Sequence, residues 1–558
     1  MQVADRPRLD ASLAKAVASR ADLVTSATLD QEVKALLATL RPLLGALGLS
    51  TLDPISGALV ADGTGHDKVL DAIAVSVRPD GTAANIEITV KAQPSAADAA
   101  PLSVVLRTDA TTVPVLPSVT SAQLAAVVSP TMVADLFSRI TACYALPASQ
   151  RVRNGNDTGS VPGTGVLASA CRTLFLGDDP TSYLSNGNTV GGGAFGSMFR
   201  GSSTGLKWER GNLEFVRSNG DLVLSYRWTD TLGNSDYDTL IARNVNGTLK
   251  LTGNGYRYAA TIRPYSEDRT LINTPAFSSF TTGYNIGIPN LLNAQGNSLF
   301  SKVVVTTPFN TQLTYKPSPG LSSLVLVNAS GGLSGTPVYR LAATYQNSAT
   351  AGNPVDKETG FVIANPQFDE AALRAIQDQS VWKLEFFHVD TQVNNVTQSH
   401  RTLSRAQTLA EIRQIDFVDV TAAMRGEMIE DTKTSVSGNY TFGPVSSTES
   451  YIDFSATGDA PAWTVPQGAL APTSLIVYGR APTVNNVQGT RFNDSVNVPS
   501  SARKAKIYCS MATVSDPHCA PGMPNLYAQG TTFNMFELWV RNKSQVEISK
   551  KIATYKLQ

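Results

Sequence analysis

"GLKWERGNLEFVRSNGDLVLSYRWTDTLGNSDYDTLIARNVNGTLKLTGNGYRYAATIRPY", residues 205–265, is the stretch whose reading decides the fold. Asn219-Gly220, Gly233-Asn234 and Asn246-Gly247 cut it into runs of alternating polarity. Asn-Gly and Gly-Asn pairs supply the positive φ that a two-residue hairpin demands, and a period of two turns successive side chains to opposite faces. The stretch therefore predicts an antiparallel meander with Leu222, Leu224, Tyr226 and Trp228 on one face.

On its N-terminal side, "SAQLAAVVSPTMVADLFSRITACYALP" predicts a helix from about Thr131, with Val133, Leu136, Phe137 and Ile140 at helical spacing. A second helical piece is expected around "ASACRTLFLGDDPTSYL". Further upstream, Leu36, Leu37, Leu40, Leu43, Leu44 and Leu47 recur on one face of an amphipathic helix that contains Pro42. "AIAVSVRPDGTAANIEITVKA" follows and reads as a hairpin about Asp80-Gly81. Between them lies "VADGTGHDKVLDAI", residues 60–73, where His66 stands among Asp62, Asp67 and Asp71. A helix start explains every residue there, whereas a metal site or a nucleophilic triad needs ligands or a nucleophile that the stretch lacks.

On the C-terminal side, short strands such as "LFSKVVVTT", "SSLVLVNA" and "PVYRLAATY" predict a β-sandwich of immunoglobulin type. "FDEAALRAIQDQ" and "RAQTLAEIRQI" interrupt it as helices, and strands return from "ESYIDFSATG" to the end. The expected architecture is multidomain and mainly β. It comprises an α+β unit over residues 1–117, an α+β domain over 118–270, a β-sandwich with helical insertions over 271–430, and a second sandwich over 431–558.

The four cysteines fall into two local pairs, Cys143 with Cys171 and Cys509 with Cys519, neither with Cys-x-x-Cys spacing. Disulfides are the better reading, and they point to an oxidising, extracytoplasmic compartment: periplasm, outer-membrane surface or secreted. The 45 basic and 45 acidic residues cancel, so no whole-molecule field favours nucleic acid. No apolar run reaches the length of a membrane helix, so no transmembrane segment is expected.

Catalytic motifs are weak. "GSSTG", residues 201–205, matches a nucleophile elbow around Ser203 but sits in the wrong strand and helix context, and reads as a turn. Asp230, Asn234, Asp236 and Asp238 invite a calcium loop, yet the EF-hand pattern is absent and a solvated hairpin is more economical. His388, His400 and His518 form no local metal constellation, and neither a metal nor a cofactor is expected.

A helix-first order followed by a long meander over 118–270 resembles the NTF2-like cone. Members of that family enclose a pocket between sheet and helices, so the resemblance implies a pocket that Tyr226, Trp228, Tyr256 and Tyr258 would line. "VADGTGHDKVLDAIAVSV" and "LVLSYRWTDTLGNSDYD" resemble exported proteins and surface lipoproteins of Gram-negative bacteria. The functional expectation is a non-catalytic cell-envelope or secreted protein that presents β surfaces to a glycan, a polymer or an envelope protein. The alternative is a secreted enzyme, either a polysaccharide hydrolase or lyase with carboxylates drawn from separate segments, or one working in the NTF2-like pocket.

Overall fold

The computed structural model describes residues 26–554 apart from 54–59, 81–82, 109, 152–168, 191–193, 320, 348–361, 365–366, 434–450, 488 and 511–516. The chain is mainly β, with several sheets and few helices.

Helices α1 (Ser26–Leu47) and α2 (Gly65–Asp71) precede the antiparallel strands β1 (Ile73–Asp80), β2 (Ala83–Val90) and β3 (Ser103–Arg107). α1 runs through Pro42 and buries Leu40, Leu43 and Leu44 against Ile73, Ile88, Val90 and Val104. Asp80 pairs with Ala83, so the expected hairpin is present, with its two connecting residues outside the described set. The "DGTGHD" run is a helix start: Asp62 Oδ1 accepts from the Thr64 N–H at 2.8 Å, and Asp67 Oδ2 accepts from the Gly63 N–H at 2.7 Å. His66 Nε2 meets the Asp53 carbonyl oxygen at 2.7 Å, which ties the imidazole to backbone.

The other face of this sheet is polar, yet it is buried, because Arg78, Asp80, Asn85 and Glu87 dock on residues 374–411. Arg78 Nη2 donates to both Asp378 oxygens at 2.5 and 2.7 Å, and Nη1 donates to Glu87 Oε2 at 3.2 Å. Arg405 forks onto Glu411 at 2.9 and 2.6 Å, and Asn85 Nδ2 donates to the same carboxylate at 3.0 Å. Arg107 and Arg374 both donate to Asp80 Oδ2 at 2.6 Å. Each charge removed from water here has a partner, the condition under which such burial is tolerated.

Helix α3 (Pro130–Ala145) starts after Ser129 with proline in its first turn, where no N–H is needed. It buries Val133, Leu136, Phe137, Ile140 and Tyr144 against the meander β4 (Lys207–Val216), β5 (Leu222–Thr229), β6 (Ser235–Val245) and β7 (Thr248–Leu251), which pair in chain order. Asn246 and Gly247 adopt φ of 51° and 86°, the two positive values of a type I′ turn. Asp230 Oδ1 closes the β5–β6 turn by accepting from the N–H groups of Leu232 and Asn234 at 2.9 and 2.8 Å. Gly201–Ser203 is a single 3₁₀ turn. The Cys143–Cys171 disulfide, with Cα atoms 5.3 Å apart, pins the end of α3 to the short helical turn Ser169–Arg172.

The remaining chain forms β8 (Thr261–Leu271), β9 (Ser279–Gly287), β10 (Phe300–Thr306), β11 (Gln312–Lys316), β12 (Val325–Leu326), β13 (Val338–Tyr345) and β14 (Val362–Ile363). Helix α4 (Glu370–Ala375), capped by Asp369, leads to β15 (Val381–His388), β16 (Val396–Arg401) and β17 (Asp419–Val420), and then to helix α5 (Ala422–Lys433). The strands end with β18 (Ile452–Phe454), β19 (Trp463–Thr464), β20 (Ser474–Arg480), β21 (Arg491–Asn497), β22 (Ala505–Ile507), β23 (Cys519–Ala520), β24 (Met523–Tyr527), β25 (Thr532–Arg541) and β26 (Glu547–Ala553).

A five-stranded sheet, β12-β11-β10-β15-β16, packs face to face with part of an eight-stranded sheet, β14-β13-β9-β8-β26-β25-β20-β21. Tyr284 and Leu341 of the larger sheet meet Val303, Trp382 and Leu384 of the smaller, with the Tyr284 and Trp382 rings 4.5 Å apart. The far half of the larger sheet buries Leu475, Val477, Phe536 and Ile552 against Phe454, Trp463 and the Cys509–Cys519 disulfide, whose Cα atoms are 5.7 Å apart. The sequence sets unit boundaries at 270 and 430, but the eight-stranded sheet crosses both. β8 and β26 pair in parallel from Tyr265↔Glu547 to Leu271↔Ala553. A hairpin is announced by its turn, whereas a parallel pair joined by about half the chain leaves no local signal.

Candidate functional site

The site lies where the meander's inner face runs out. Cross-strand pairing sets Trp228 opposite Asp236 and Tyr226 opposite Asp238, so the acids share a face with the aromatic rings. Deeper on that face, Tyr226 stacks on Trp208 with ring centroids 4.4 Å apart and packs beside Phe137 of α3. Toward the β5–β6 turn the same face is only half-buried at Trp228, Asp236 and Asp238.

Three strand ends of the eight-stranded sheet close this mouth: Arg263 on β8, Arg541 on β25 and Glu547 on β26. Arg541 forks onto Asp236, with Nη2 on Oδ2 and Nε 3.3 Å from Oδ1, and its guanidinium lies 5.8 Å from the Trp539 ring centroid. Arg263 Nη1 stands 3.7 Å from Glu547 Oε1, and Asn285 Nδ2 donates to Glu547 Oε2 at 3.3 Å. Two carboxyl–guanidinium pairs, Asp236 with Arg541 and Glu547 with Arg263, therefore stand at this edge, with Trp539 beside Arg541 and the Asp238 charge felt at Arg263.

Burial sets the electrostatics. It pushes the Asp236 carboxyl above the ordinary aspartate range against the pull of Arg541, and it raises Glu547 against Arg263. It lowers Arg263, with the neighbouring Arg541 charge acting in the same direction. Tyr226 is pushed well up, first by burial and then by the Asp238 charge, so its hydroxyl is a neutral donor.

Of the four aromatic residues expected to line one pocket, Trp228 reaches this mouth and Tyr226 lies deeper on the same face, buried against Trp208, while Tyr256 and Tyr258 fasten the β7–β8 connector to β15 and β16. The Tyr256 ring lies 4.3 Å from His400, and its hydroxyl donates to the Ser399 carbonyl. The Tyr258 hydroxyl is 2.6 Å from His388 Nε2, and its backbone exchanges two hydrogen bonds with the Gln398 amide at 2.9 and 3.0 Å. His400 is lowered to about 4 by burial and Arg217, so it is a neutral ring packed on Tyr256. Gly253, at φ 73°, is required in this connector because a Cβ would stand 2.0 Å from the Leu184 carbonyl oxygen.

Of the four oxygen-bearing residues weighed as a calcium loop, Asp230 and Asn234 close the hairpin, Asp236 turns to Arg541, and Asp238 Oδ1 accepts from the Thr239 N–H at 2.8 Å. Arg263, Arg541 and Glu547 were not singled out from the sequence. For Arg263 and Glu547 the available signal is charge at strand positions in "RPYSEDR" and "EISKK", which marks strands that are polar on a covered face, whereas Arg541 ends the mostly apolar run "MFELWVR" with no such pattern. Elsewhere, a cavity of about 10 Å³ between Phe417, Leu470, Val540 and Ile548 has room for a single water. No helix among the described residues is long and apolar enough to cross a membrane. No protein-family model matches the chain, and no curated protein is a significant match to it.

Proposed function

We propose that this chain is a non-catalytic extracytoplasmic protein, of the cell envelope or secreted, that binds a hydroxyl-rich polymer or glycan at the mouth of the meander. The observation that carries the reading is the composition of that mouth. Trp228 and Trp539 supply flat apolar rings, and the Asp236–Arg541 and Asn285–Glu547 pairs supply hydrogen-bond donors and acceptors of the kind that hydroxyl-rich ligands use. Two disulfides support the compartment. α3 lying across β4–β7 supports an NTF2-like reading of the middle segment, and the face-to-face packing of the two large sheets supports a sandwich of immunoglobulin-like kind for the later segments. The test is binding of the full chain to an array of neutral and acidic polysaccharides. Retention of at least one class, weakened about tenfold in Trp228→Ala and in Arg541→Met, is expected. Equal retention of both variants, or none by the parent chain, rejects the reading.

A second reading has a specific observation behind it: Asp236 and Glu547, drawn from separate segments, are both biased toward their protonated forms at the same edge, and Asp238 is close by. A protonated carboxyl beside a second carboxyl is the pairing that glycosidic bond cleavage uses. Turnover of a retained polysaccharide that Glu547→Gln abolishes without loss of binding would establish this reading in place of the first.

A further inference from the structure

We propose that Cys509, His518 and Cys519 form a redox-switched site for a zinc-type divalent cation, closed while the disulfide is intact and open when the two cysteines are thiols. One ligand atom from each of the three side chains lies within 4.8 Å of the other two, and all three residues are buried. In a tetrahedral zinc site, bonds of about 2.0–2.3 Å to nitrogen and sulfur hold ligand atoms about 3.5–4 Å apart, so the three are already gathered on the required scale.

The histidine distinguishes this bridge from a purely structural one. His518 is 4 % exposed, and its Nε2 has no hydrogen-bond partner among the described residues. A buried polar atom of that kind calls for an explanation. Phe492 stacks on the imidazole with centroids 4.1 Å apart and planes 11° apart, which fixes the ring. The Asp494 carboxylate stands 3.5 Å from Nε2 and is itself held by the Tyr527 hydroxyl at 2.8 Å and the Ser510 N–H at 3.2 Å. With Asp494 beside Nε2, the nitrogen left for the cation is Nδ1, and the carboxylate stands as the outer partner that metal-binding histidines use on their other nitrogen. Among the described residues, Cys143 and Cys171 belong to no comparable cluster with a histidine or carboxylate.

The switch balances. Exchange with a dithiol breaks the S–S bond; the dithiol gives up two electrons, leaves as its own disulfide, and its two protons pass to the cysteine sulfurs. Metal entry displaces those protons to solvent and leaves two thiolates and a neutral imidazole on the cation. An oxidised dithiol reverses the transfer and expels the metal.

The experiment reduces the full chain anaerobically with a phosphine, which takes its oxygen from water as it becomes the phosphine oxide, and titrates it with Co²⁺. One Co²⁺ per chain with a thiolate-to-cobalt charge-transfer band is expected in the reduced chain and none in the oxidised chain. The Cys143→Ser/Cys171→Ser variant keeps the band, Cys509→Ser/Cys519→Ser loses it, and His518→Ala weakens binding by about tenfold or more. Near-ultraviolet circular dichroism reports whether each form keeps its packing. A reduced chain without the band, a band that survives loss of Cys509 and Cys519, unchanged affinity in His518→Ala, or packing lost on reduction and not regained with Co²⁺ would each overturn the proposal.

Discussion

Glu87 shows how much a single buried residue can govern. Burial and the neighbouring Asp378 raise its carboxyl to about 7, against the pull of Arg78 and Arg405. An acid raised in the folded state stabilises the fold below its unfolded value and loses that contribution as pH rises through the folded one. Stability should therefore fall between about pH 4.5 and 7, by up to about 3 kcal/mol. Asp378, whose carboxyl is lowered by Arg78, works in the opposite sense and gives up its contribution only as pH falls below 3.8. Urea denaturation across this range should show the decline in the parent chain and a flatter profile in Glu87→Gln. Arg78→Met strands two buried carboxylates and should cost about 3–5 kcal/mol, whereas Arg425→Met, at a half-exposed pair with Asp419, should cost under about 1 kcal/mol. The alternation in "AIAVSVRPDGTAANIEITV" places Arg78 and Glu87 on one face, and that much is legible. Sequence reasoning turns such a face to water, because the partner that covers it, Asp378, lies 300 residues from Arg78.

At the scale of elements, the sequence is most readable where structure is local. α3 and the meander follow from helical spacing and from Asn-Gly and Gly-Asn turns, since each signal and its consequence lie within a few residues. The irregularity of β4 is not readable in that way. Arg210 takes φ 56° and Gly211 sits in the register shift between Glu209 and Asn212, where a Cβ would stand 2.1 Å from the Phe137 ring. Gly211 is thus the price of seating α3 close against the sheet. Gly211→Ala should destabilise the chain by about 1–3 kcal/mol, read as a lowered denaturation midpoint, and Phe137→Leu in the same chain should recover part of the loss. Cys143 and Cys171 are 28 residues apart, and removing their bridge by Cys143→Ala/Cys171→Ala should cost about 3 kcal/mol through the loop entropy regained on unfolding. Of the candidate site, Tyr226 and Trp228 were legible from strand alternation. Tyr256 and Tyr258 share that aromatic character but sit beyond the last meander strand, in a connector whose path only Gly253, Gly255 and the β15–β16 surface determine.

The whole molecule is tied together by pairings that no segment announces. β26 joins β8, Arg541 and Glu547 reach the meander's mouth, and the N-terminal sheet is fastened through Arg78, Asn85 and Asp80. The proposed binding site exists only if these long-range pairings hold, because Asp236, Arg263, Arg541 and Glu547 come from strands on both sides of residue 430. The central claim is that β8, β9 and β13 from one side of residue 430 and β20, β21, β25 and β26 from the other form one cooperative sheet presenting that mouth. Amide hydrogen exchange of the full chain, followed by mass spectrometry under mild denaturant, tests it most directly. Tyr265–Leu271 and Glu547–Ala553 should exchange with one common opening free energy, whereas a C-terminal segment that opens while residues 261–345 stay protected would contradict the account.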